Sequence, residues 1–155
     1  MYIFKLKPTA KSSKWFDDNG YDLNAIGSAL SLLFAEVEPS LLTKVVNLTI
    51  QVVEGSEESC YLFTTNKIWL CDEPDAHAKS NRKKTLAVFG HLLHEFRHWM
   101  QSRIYKVSGR ELDYDEDDVE RNSHAYFRNE HEVDARRFSK QHLSKFYKYY
   151  KNFKQ

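Results

Sequence analysis

The chain has 155 residues, 41% apolar and 29% charged, which suits one globular domain able to bury its own core and excludes a disordered chain. The net charge of +1 conceals a segregation. Seven acids and no bases lie between Glu111 and Glu120, while every charged side chain beyond Asp134 is basic, from Arg136 to Lys154.

Residues 2–6 alternate as a strand that Pro8 ends. Residues 9–20 are polar and close on Asp18-Asn19-Gly20, which predicts a loop and turn. Leu23, Ile26, Leu30, Leu33 and Phe34 recur at helical spacing up to Pro39. Val46, Leu48, Ile50 and Val52 alternate with polar residues, as a strand with one buried face does. Residues 60–64 and 67–71 read as a hairpin turning near Asn66, with Cys60 and Cys71 as reduced thiols. A long amphipathic helix follows over about 84–105, its apolar stripe formed by Phe89, Leu93, Phe96, Met100 and Ile104. An acidic connection over about 107–122 leads to a last helix from about 123 to 151, whose part beyond 136 is basic and aromatic. With no repeat and no second composition, residues 1–155 read as a single α+β domain, its helices packed on a small, mostly antiparallel sheet. No stretch is long and apolar enough to serve as a signal peptide or to span a bilayer, so a cytoplasmic protein is expected.

The chemistry concentrates in His94-Glu95-Phe96-Arg97-His98, which fits H-E-x-x-H. Residues four apart on a helix lie one above the other, so two imidazoles can converge on one ion. Glu95 follows about 100° round the helix, where it can take a proton from a water held by the metal. Zinc lowers the pKa of such a water to about 7 and polarises a carbonyl. A catalytic zinc needs a third protein ligand. The segment Asn129-Glu130-His131-Glu132-Val133-Asp134-Ala135 offers Glu130, with Asp134 one turn on to hydrogen-bond a ligand histidine. Glu132 is the alternative ligand, and Glu130 is preferred because it shares a helix face with Asp134.

This pairing of His94-Glu95-x-x-His98 with Glu130-x-x-x-Asp134-Ala135 resembles the gluzincin class of zinc metallopeptidases. Compact HtpX-like and ImmA/IrrE-type peptidases are similar in layout over residues 46–140, although Val133 stands where Ala is usual. The resemblance implies a zincin-like fold, a Zn2+ cofactor, a peptide or protein substrate, and Glu as ligand with an acid four residues on in support. It also implies an edge strand before the motif helix, here residues 67–71, that pairs with an extended peptide and brings Trp69 near a substrate side chain.

Other features have plainer readings. His91 stands one turn before His94 and reads as a partly buried histidine bonded to backbone. Tyr126 and His124 are the nearest candidates for a donor to the oxyanion. The acidic run at 113–118 lacks the central glycine of a calcium loop and reads as a solvated connection. The basic aromatic tail reads as a helix end whose rings pack on the domain. The alternative is a catalytically silent zincin-like module that docks a protein or nucleic acid through that tail.

Overall fold

The computed structural model describes residues 1–56, 58–108 and 129–154. In chain order these form β1 (Tyr2–Pro8), α1 (Ala10–Asp18), α2 (Leu23–Val37), β2 (Lys44–Val53), β3 (Cys60–Leu62), β4 (Lys67–Cys71), α3 (Asn81–Arg103) and α4 (Glu130–Phe153). The architecture is α+β: four helices and a four-stranded mixed sheet among the described residues. No helix among them is long and apolar enough to cross a membrane.

The strand order is β1-β2-β4-β3. β1 runs parallel to β2, β2 runs parallel to β4, and only β3 and β4 are antiparallel. The expected mostly antiparallel sheet is therefore corrected to a mostly parallel one. The cause is connectivity. β1 reaches β2 through α1 and α2, and a crossover of that kind returns the chain in the same direction. β3 then takes the far edge, and the hairpin at Asn66 (φ 52°) brings β4 back into the gap beside β2.

One sheet face carries Phe4, Leu6, Leu48, Ile50, Ile68 and Leu70, all buried against the helices. Period-two alternation sends Ile3, Lys5, Val45 and Trp69 to the opposite face, where they are exposed. The edge of β1 is covered by α2. Phe4 N–H donates to Ser31 Oγ (2.9 Å), and a Cβ on Gly27 would come within 2.5 Å of the Phe4 carbonyl oxygen.

Residues 10–18 form a helix where a loop was expected. Thr9 caps it by accepting the Ser12 N–H, Phe16 is buried beneath it, and Ser12 Oγ accepts the Val52 N–H (2.8 Å). One apolar anchor, a buried hydroxyl bonded to the sheet and a cap are enough to hold a short helix whose composition is otherwise polar. Gly20 (φ +73°) and Asp22, the cap of α2, shape the turn that follows.

Ser80 caps α3 and Asn129 caps α4, its Oδ1 accepting the His131 N–H (2.9 Å). The extended backbone at Asn129 starts the last helix at Glu130, later than expected. Phe146 and Tyr150 of α4 pack edge-on against Phe89 of α3, and α3 packs on the sheet through Phe96 and Trp99. The aromatic rings of the tail thus close the core on the side away from the sheet.

Candidate metal centre

α3 presents His94 and His98 to the opening turn of α4. Their rings lie 5.0 Å apart, as the four-residue spacing requires. Between them stands the carboxylate of Glu132. Its Oε2 is 3.0 Å from His94 Nε2 and its Oε1 is 2.9 Å from His98 Nε2. These three residues offer one ligand atom each, all within 4.8 Å of one another, as a metal-binding group would. His98 and Glu132 are buried, and His94 is open to solvent on one side.

Glu130, the residue preferred from sequence, is not brought to this cluster. It is the first residue of α4, its side chain is 82% exposed, and its carboxylate lies 3.5 Å from the ring of His131. Helical phase explains the exchange. Glu132 lies on the same stripe as the buried Ala135, Phe138, Phe146 and Tyr150, so it faces α3, whereas Glu130 lies about 200° away. That stripe is visible in the sequence and would have selected Glu132.

Asp134 bonds neither His94 nor His98 directly. It accepts from Arg97 (Nε 2.8 Å, Nη2 3.3 Å) and from Gln101 Nε2 (2.9 Å). Gln101, which the sequence reading did not single out, carries the connection to His98. Its Nε2 donates both to Asp134 and to the His131 carbonyl (3.0 Å), two groups that only accept, and this fixes the orientation of the amide. Gln101 Oε1 therefore faces His98 Nδ1 (2.7 Å) as an acceptor. Nδ1 must then carry the proton, and in neutral His98 the lone pair sits on Nε2, aimed at Glu132.

That orientation of the lone pair calls for a cation. A lone-pair nitrogen and a carboxylate oxygen 2.9 Å apart repel one another unless a proton or a metal ion sits among them. His98 Nε2 is buried and makes no aligned hydrogen bond among the described residues. Two imidazoles and a carboxylate form an ordinary donor set for zinc. With no ion bound, a proton takes the cation's place. Burial lowers the His98 pKa, but the Glu132 and Glu95 carboxylates outweigh it and raise the pKa overall. Burial works upward on Glu132, and its two histidine partners outweigh that and hold it far below the usual carboxylate range. The residues fit the metal.

Glu95 is buried and lines the same cavity as His94. His91 is bonded to a side chain rather than to backbone. Its Nδ1 lies 2.8 Å from Ser59 Oγ, which also accepts the Cys71 N–H (2.9 Å). Burial, then the neighbouring His94, pushes the His91 pKa down.

The edge-strand expectation is corrected. β4 is an interior strand, flanked by β2 on one side and by β3 along Lys67–Trp69 on the other. The outer edge there belongs to β3, and Trp69 lies on the sheet face away from α3, so Trp69 is not brought to the histidines. Cys60 pairs in register with Trp69. Tyr126, His124 and the acidic run lie outside the described residues. In the basic tail Phe146 and Tyr150 are buried, Lys145 pairs with Glu36, and Lys151 lies over Tyr147. Comparison with protein-family models, with curated proteins and with solved structures gave no match.

Proposed function

We propose that this protein is a zinc-dependent peptidase of zincin-like design, in which His94, His98 and Glu132 hold the metal and Glu95 is the general base. The observation that carries the reading is the buried lone-pair nitrogen of His98 facing the buried carboxylate of Glu132, with His94 on its other oxygen. Three protein ligands are the number a catalytic zinc uses, whereas structural sites use four.

Bound zinc supplies Lewis acidity, which acidifies water and polarises a carbonyl. The chain's own groups do the rest. Gln101 holds the His98 ring by its Nδ1–H and is itself held by Asp134 and the His131 carbonyl, so the Nε2 lone pair keeps one direction. Glu95, one residue on from His94, lines the cavity; its role is to take a proton from water and return it to the leaving amine. The ligand glutamate departs from the gluzincin spacing. Glu132 precedes Asp134 by two residues, and Asp134 acts on His98 through Gln101 rather than directly.

The test is Glu95→Gln, assayed for zinc content and for cleavage of a mixture of quenched fluorogenic peptides. Zinc should stay at the wild-type level while kcat/KM falls on the order of 100- to 10,000-fold. Undiminished cleavage by Glu95→Gln would overturn the mechanism.

A further inference from the structure

We infer that the cavity beside Glu95 selects a substrate carrying a bulky apolar side chain, aliphatic or aromatic, next to the bond that is cut. The inference rests on the peptidase reading and names the substrate class of that site.

A cavity of about 580 Å³ opens between α3 and α4, a size within the roughly 300–1,000 Å³ of small-ligand sites. His94 and Glu95 form part of its wall, so whatever fills it lies against the reacting groups. Much of the remaining wall is apolar: Leu86 and Ala87 from α3, Leu143 from α4, and Pro74 from the loop after β4. Ala87, Gly90, His91 and His94 follow one another at helical spacing, so one face of α3 runs from the apolar end of the cavity to the histidine. Gly90 brings no side chain into this face. Ser139 Oγ donates to its carbonyl oxygen (2.7 Å), which ties the two helices together at the cavity floor.

Charges of both signs, Glu58 against Arg136 and Lys140, also line the cavity. Opposite charges in one lining give little net selection for a charged side chain. The favourable term left is removal of apolar surface from water, and a Phe or Leu side chain gains most from it. A small side chain would leave the cavity wet and forgo that gain.

The experiment uses two quenched fluorogenic peptides that differ only by Phe or Ala, placed in turn on each side of the scissile bond. They are assayed on the zinc-loaded wild type and on Ala87→Trp, which fills the cavity. Beside them, saturation-transfer NMR measures binding of N-acetyl-phenylalanine amide and N-acetyl-alanine amide to metal-stripped protein. On one side of the bond, wild type should favour Phe about 100-fold in kcat/KM, and Ala87→Trp should lower that ratio at least about tenfold at unchanged zinc content. The Phe probe should bind wild type and not the variant. Should Ala87→Trp fail to fold, Leu143→Ala widens the same cavity and should raise the ratio of a Trp peptide to the Phe peptide. Cleavage with equal rates for Phe and Ala on both sides would overturn this inference and leave the peptidase reading standing. Binding of the Phe probe with no peptide cleaved would uphold apolar recognition by the cavity and overturn the peptidase reading. Neither binding nor cleavage would overturn both.

Discussion

Gln101 is the residue on which the centre's precision depends. It is buried, and it joins His98 to Asp134 and to the His131 carbonyl. Gln101→Leu keeps the size of the side chain and leaves those partners without it. The expected cost is about 1–3 kcal/mol of stability, read from chemical denaturation, because buried polar groups lose their bonds. Zinc affinity should fall roughly 10- to 100-fold, as loss of a bond that orients a ligand histidine generally does. Wild-type affinity in Gln101→Leu would show that His98 needs no such anchor. The histidines also differ from one another in a way NMR titration of metal-free protein can read. His91 should titrate below the ordinary value of about 6.5, being buried and near His94, and His98 should titrate above it. The two have opposite consequences for stability. For His91 the unfolded chain takes the proton first, so its contribution falls as pH drops through about 6.5. For His98 the folded chain holds the proton more tightly, so its contribution is present below about 6.5 and is lost as pH rises through the folded value. A His91 midpoint above that of His98 would contradict the burial and contacts described.

At the scale of elements, Gly27 sets how closely α2 approaches β1. A Cβ there would stand 2.5 Å from the Phe4 carbonyl oxygen, a backbone atom that cannot swing aside. Gly27→Ala should therefore destabilise by about 1–3 kcal/mol despite the better helix propensity of alanine, measured as a lowered Tm. An unchanged or raised Tm would mean that α2 sits farther from the strand. Local patterns of this kind account for what was legible in the sequence. The amphipathic stripes of α2 and α3, the alternation of β2 and the β3–β4 hairpin are all short-range signals. The helix α1 was hidden because its burial rests on Phe16 and a cap rather than on a repeated stripe. The parallel pairing of β1, β2 and β4 was hidden because register between distant strands leaves no local mark. His94, Glu95 and His98 could be read from one turn of helix. Glu132 demanded the phase of a second helix, and there the pairing of Glu130 with Asp134 outweighed the apolar stripe that points to Glu132.

The whole molecule joins the two halves of the centre only through its fold. The histidines belong to α3 and the carboxylate to α4, and the two helices are held together by Phe89, Phe146 and Tyr150. Zinc bound across that seam should stabilise the folded state by mass action. At a free concentration 1,000-fold above Kd the gain is about 4 kcal/mol, which in a chain of this size corresponds to a rise in Tm on the order of 10 °C. His94→Ala/His98→Ala should show no such rise. The most direct measurement of the central claim is the zinc content of three proteins purified and dialysed side by side: wild type, Glu132→Gln and Glu130→Gln. The account predicts about one zinc per chain in wild type and in Glu130→Gln and a large loss in Glu132→Gln, because Glu132, and not Glu130, stands between the two imidazoles. Zinc retained by Glu132→Gln and lost from Glu130→Gln would contradict the assignment of the ligands, and zinc absent from all three after reconstitution would contradict the metal centre itself.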